Sequence, residues 1–141
     1  MVQAARSCKQ NIVEGSEAAA ASLQTEMKLL NVAKASLQEL LEDYTDYLHT
    51  RGHAVWPSDS ELVQAMRRLG REHDDAEFFL TLAESRPDST VANMALVLIH
   101  QADTLLRCQL EKCEERFREE GGWTEHMAHM RREYRQNQNN K

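Results

Sequence analysis

The chain has 141 residues, of which 41% are apolar and 28% charged, with 5 Gly, 2 Pro and 6% aromatics. These figures suit one domain, and so few turn-forming residues exclude a sandwich or barrel, which needs a turn every 8 to 12 residues or so. The formal net charge of −6 disfavours a generally basic nucleic-acid binder while leaving room for a local basic patch.

No apolar run approaches the roughly 20 residues that span a bilayer. The longest, residues 91–99, is interrupted by Asn93, and the first nine residues lack the apolar stretch of a signal peptide. A cytoplasmic chain is expected. Three cysteines, an odd number with no export signal, point to reduced thiols. Cys108 and Cys113 are about 500° apart on a helix, so neither a bridge nor a shared metal is expected between them.

In chain order, Val2, Ala5, Cys8 and Ile12 fall at helical spacing, which predicts a short helix over residues 2–14 that stops at Gly15. Ser22 is placed to cap the next helix, residues 23 to about 51. Its stripe is Leu23, Met27, Leu30, Ala33, Leu37, Leu40, Leu41, Tyr44, Tyr47 and Leu48, with Glu39, Glu42, Asp43 and Asp46 opposite. At 1.5 Å per residue it is about 43 Å long. Gly52 ends it. After the Trp56-Pro57 turn, Ser58 and Glu61 have capping-box spacing. Two shorter helices follow, 59–69 with Leu62, Met66 and Leu69 inward, and 75–84 with Phe79 and Leu82 inward. They read as an excursion between long helices.

Pro87 opens a second long helix that is expected to run to about residue 120 and stop at Gly121-Gly122. Val91, Ala95, Leu98, Ala102 and Leu105 form one stripe on it; Ile99, Leu106, Leu110, Cys113 and Phe117 form another. A helix apolar on two sides is central in its bundle or packs on another subunit, so self-association is expected. Beyond Gly122, Trp123, Met127, Met130 and Tyr134 are spaced four, three, four, which predicts a separate amphipathic helix fraying into residues 136–141.

The run Asn11-Ile12-Val13-Glu14-Gly15, followed by Ala35-Ser36-Leu37-Gln38-Glu39-Leu40, resembles the bacterial four-helix-bundle proteins first noticed in intervening sequences of large-subunit ribosomal RNA genes. Val13 stands where those proteins usually have Ala, and Gln10 where Pro is common. Residues 90–102 and Gly121-Gly122 resemble a branch with an added C-terminal suffix. The resemblance implies an all-α, up-and-down helical bundle of long antiparallel helices, with a short helical insertion and a C-terminal amphipathic helix. It divides the chain into a bundle core, 1–120, and a suffix helix with polar tail, 121–141. It also implies a homo-oligomer, a pentameric ring in relatives. One relative is the accessory protein of diversity-generating retroelements, which binds a reverse transcriptase and nucleic acid through a basic surface. Relatives have a helix before the Asn-Ile-x-Glu-Gly helix and this chain starts without one. The exposed groove is then expected to be covered by the tail helix or by a neighbouring subunit.

Asn11, Ile12, Glu14, Gly15, Ser36, Leu37 and Glu39 carry the family motif. They are read as structural, with Gly15 left-handed at a helix end and Asn11 bonded to an adjacent helix. His126 and His129 make half a metal site with no third ligand in reach, and Asp46 with His49 occurs only once, too little for a di-iron carboxylate centre. There is no Gly-rich phosphate loop, nucleophile elbow or Cys-x-x-Cys spacing. No catalytic residue, cofactor, metal or small-molecule substrate is therefore assigned, and a non-enzymatic interaction scaffold is expected.

The charge is unevenly spread. Residues 1–35 carry +1, 36–90 carry −7, 91–120 carry −2 and 121–141 carry +2. The alternative reading, a nucleic-acid-binding accessory protein partnering a reverse transcriptase, would use Arg6, Lys9, Arg131, Arg132 and Arg135. Self-association or tail packing would use Ile99, Leu106, Leu110, Phe117, Trp123, Met127, Met130 and Tyr134.

Overall fold

The computed structural model describes residues 1–19 and 22–139, with side chains described outside 121–127 and 137–139. The described residues form five helices and no strand: α1 (Val2–Ala18), α2 (Leu23–Thr50), α3 (Glu61–Glu72), α4 (Ala76–Glu84) and α5 (Asp88–Asn139).

Helices α1 and α2 form an antiparallel hairpin. Ser22, in extended conformation, caps α2 by accepting from the Thr25 N–H. Ser7 Oγ meets Ser36 Oγ at 2.8 Å midway along the pair. The helices are also close at Gly15, where a Cβ would lie 3.4 Å from Leu29 Cβ. Gly15 is therefore an interior, buried residue of α1 and not a left-handed stop; among the described residues only Gly52 has a positive φ, at 70°. The helix runs on to Ala18 because a helical glycine costs only about 1 kcal/mol, which the packing of α1 on α2 can offset.

Helix α5 lies antiparallel to α2, with Leu48 beside Ala92 and Leu96 at one end and Leu30 beside Leu106, Leu110 and Cys113 towards the other. Cys8 from α1 completes that core. Val63 and Met66 of α3 pack on a different side of α5, against Met94 and Val97, with Trp56, Leu69, Phe79, Leu82 and Leu98 around them. Helix α5 thus serves two internal cores, but not along the expected stripes: Met94 and Val97, outside both, face α3, and of the first stripe Leu98 joins them, Ala102 packs on the hairpin core and Leu105 is exposed. Ile99, Leu106 and Leu110, expected at an interface or under the tail, are interior residues of the hairpin core.

One cap differs from the expected one and another was not foreseen. Ser60, not Ser58, caps α3 through Val63 N–H, and Asp75 caps α4 through Phe78 N–H. A larger correction concerns Gly121-Gly122: α5 passes through both, so the expected stop and the 120/121 boundary fall inside one 52-residue helix. Two glycines cost about 2 kcal/mol relative to alanine, a penalty that flanking helix formers can offset. The tail consequently does not fold back over the hairpin.

Candidate functional site

The loop end of the hairpin, where α1 connects to α2, is built around Glu26, whose side chain is 4% exposed. Position 26 lies on the inward stripe of α2, three residues after Leu23 and four before Leu30, so helical periodicity buries it. Gln109 Nε2 donates to its Oε1 at 3.2 Å, and Arg116 Nη1 stands 3.7 Å from Oε2, both from α5. Cys113, fully buried beside them, has its thiol pushed up to about 11, by burial first and then by the facing Glu26 carboxylate, against a smaller opposing effect of Arg116. That thiol stays protonated and unreactive at neutral pH. Cys8 is also buried and its thiol raised, while Cys108 is exposed; all three are free.

Beyond Cys113, the last buried residue of α5 among those described, the helix leaves the bundle. From Phe117 to Asn139 it extends about 34 Å. Phe117 is 47% exposed, Met130 52% and Tyr134 67%. Arg131, Arg132 and Arg135 are exposed on the same extension, and His129 Nδ1 lies 3.7 Å from Glu133 Oε1. Trp123, Met127 and His126 fall among the side chains outside the described set.

The family-motif residues do not converge. Asn11 Nδ2 donates to Ser7 O at 2.8 Å within its own helix, where a bond to an adjacent helix was expected. Gln10 Nε2 donates to Glu14 at 2.7 Å; Glu14, Ile12 and Glu39 are exposed. Ser36 and Leu37 are buried against α1 and α5. Arg6 and Lys9 are exposed on α1 near the level of Ser7 and Ser36. That level corresponds to α5 residues near 103, so Arg131 lies about 40 Å farther along. The five basic residues assigned to nucleic acid thus form two separate groups within one chain.

Sequence reasoning missed Glu26, Asn93 and Gln101. The signal for the first two was present, a polar residue in an apolar register. Asn93 is 3% exposed and fully used: Oδ1 accepts from Trp56 N–H at 2.8 Å, and Nδ2 donates to the Ala54 and Ser89 carbonyls, each at 3.0 Å. It pins the segment between α2 and α3 to α5. Gln101 Nε2 donates to the Arg67 carbonyl at 2.9 Å, and a Cβ on Gly70 would collide with its Oε1.

No family model, curated protein or solved structure matches the chain. Among the described residues, no three His, Cys, Asp or Glu side chains converge as a metal site, and no helix is long and apolar enough to cross a membrane.

Proposed function

We propose that the chain is a non-enzymatic helical scaffold that assembles with copies of itself, as a bundle of the up-and-down type found in the family it resembles. The observation that carries this reading is the α5 extension, about 34 Å of helix with Phe117, Met130 and Tyr134 exposed. An isolated helix of that length is marginal in water, and its stability in a folded protein comes from a packed apolar face. The occupant that fits is another copy, because Glu114, Glu115 and Glu119 are exposed near the root of the extension and Arg131, Arg132 and Arg135 near its tip. Antiparallel pairing of two extensions sets those groups opposite one another. Such pairing is a two-fold contact that gives a dimer or an assembly of dimers, whereas the pentameric ring of the resembled family would need a different contact.

Native mass spectrometry with sedimentation velocity tests this on the full chain and on the triple variant Phe117→Gln, Met130→Gln, Tyr134→Gln. The full chain is expected as a defined oligomer and the variant as a smaller species with an unchanged helical core. A wild-type chain that stays monomeric at about 100 μM, a concentration at which even weak specific interfaces populate, overturns the reading.

The nucleic-acid reading has one specific support: among the described residues, Arg131, Arg132 and Arg135 have no carboxylate within 4 Å. An oligomer would repeat this triplet and raise its avidity. Gel shifts with structured RNA and duplex DNA at two salt concentrations test it; binding that weakens with salt and is lost in Arg131→Gln, Arg132→Gln, Arg135→Gln supports it, and no shift at low salt rejects it.

A further inference from the structure

The segment between α2 and α3 runs back across α5, held by Asn93, and roofs a cavity of about 130 Å³. Its walls are mainly Val55, Trp56, Val63, Leu96 and Val97. Apolar cavities near 150 Å³ hold a benzene ring. Arg67 and His100 line this cavity and also a wider, open groove of about 750 Å³ that continues between α3 and α5 past Arg71 and Thr104 to Leu105. The two spaces thus share a pair of cationic or hydrogen-bonding side chains in their walls.

The chemistry on the two sides of that rim differs. Arg67 and Arg71 are one helical turn apart, and among the described residues neither has a carboxylate within 4 Å. The hydrogen bond that the Arg67 guanidinium makes, to the Ser58 carbonyl at 3.4 Å, is long and leaves other donors available. This lies within residues 36–90, which sum to −7, so the basic rim contrasts with its surroundings. Asp103 shares a separate small cleft with His100 on the α2 side and reduces the local potential without entering the rim.

We infer that this junction binds a small aromatic carboxylate, with the ring beside Trp56 and Val97 and the carboxylate on the Arg67 guanidinium, flanked by His100. The ring leaves water for apolar walls, and the planar fork of arginine matches the two carboxylate oxygens. Either half alone binds weakly: a neutral ring leaves the guanidinium unused, and a bare carboxylate competes poorly with hydration at a half-buried arginine.

The test uses ¹⁵N-labelled Trp123→Phe protein, in which Trp56 gives the one indole N–H signal, titrated with benzoate, benzyl alcohol and acetate. Benzoate is expected to shift the Trp56 signal saturably, with a dissociation constant below about 1 mM. Benzyl alcohol and acetate should bind at least about tenfold more weakly, the size of one charge-assisted contact. Arg67→Gln and His100→Gln, both at the rim, should weaken benzoate with the helical circular dichroism unchanged. No saturation by about 10 mM benzoate, equal binding of benzoate and benzyl alcohol, or benzoate binding unchanged in both variants overturns the inference.

Discussion

Gly15 illustrates how one letter supports two opposite structural roles. After a helical stripe, glycine reads as a left-handed stop, and that reading makes any side chain costly there. In the folded chain the residue is helical and buried, and the nearest atom to an added Cβ is Leu29 Cβ at 3.4 Å, an ordinary contact distance. Gly15→Ala is therefore expected to raise stability by up to about 1 kcal/mol, the helix-propensity difference. Urea denaturation distinguishes the roles, because a left-handed cap would lose about 1 kcal/mol by the same change. Gly70 differs: an added Cβ would displace the Gln101 amide from its bond to the Arg67 carbonyl.

At the scale of elements, the connection from α2 to α3 depends on one buried amide. Asn93→Ala removes three hydrogen bonds and leaves the Trp56 N–H and two carbonyls without that partner. The expected cost is about 2–3 kcal/mol, measured by chemical denaturation; a loss under about 0.5 kcal/mol would show that solvent replaces the amide. The helices themselves were legible because apolar residues repeat every three to four positions, as in Leu23, Leu30, Ala33 and Leu37 of α2. Their ends were less so. Ser58 and Ser60 both suit a cap, and only the bond to Val63 N–H decides between them. Gly121-Gly122 misled for a related reason: breaker strength is a difference of about 1 kcal/mol per residue, which the neighbouring sequence can outweigh. The rim formed by Arg67 and His100 was not legible at all, since residues 33 positions apart meet through packing of α3 on α5.

At the scale of the whole molecule, α5 is shared by both cores, so loss of either removes support from the other. Cys113 reports on this globally. Its thiol is shifted from 9.0 to about 11 in the folded chain. Between those values the unfolded chain has released the proton and the folded chain keeps it. The contribution to stability is therefore complete below about pH 9 and declines as pH rises towards 11. Wild type and Cys113→Ala, compared by urea denaturation across that range, should converge in stability as pH rises. A constant gap would show that Glu26 and burial do not hold the proton on the thiol.

The position of Gly121-Gly122 has a mechanical consequence. The pair sits only a few residues beyond Phe117, at the root of the projecting rod, and some 17 residues, about 26 Å, lie between it and Asn139. Helix is weakest where glycine has replaced better helix formers, so bending is least costly at this root. A 30° bend there would carry the tip through about 13 Å, given that length. A bend at that root would make the rod a lever arm with its pivot next to the body, so that copies of the proposed assembly at different spacings would fall within its sweep without repacking either core.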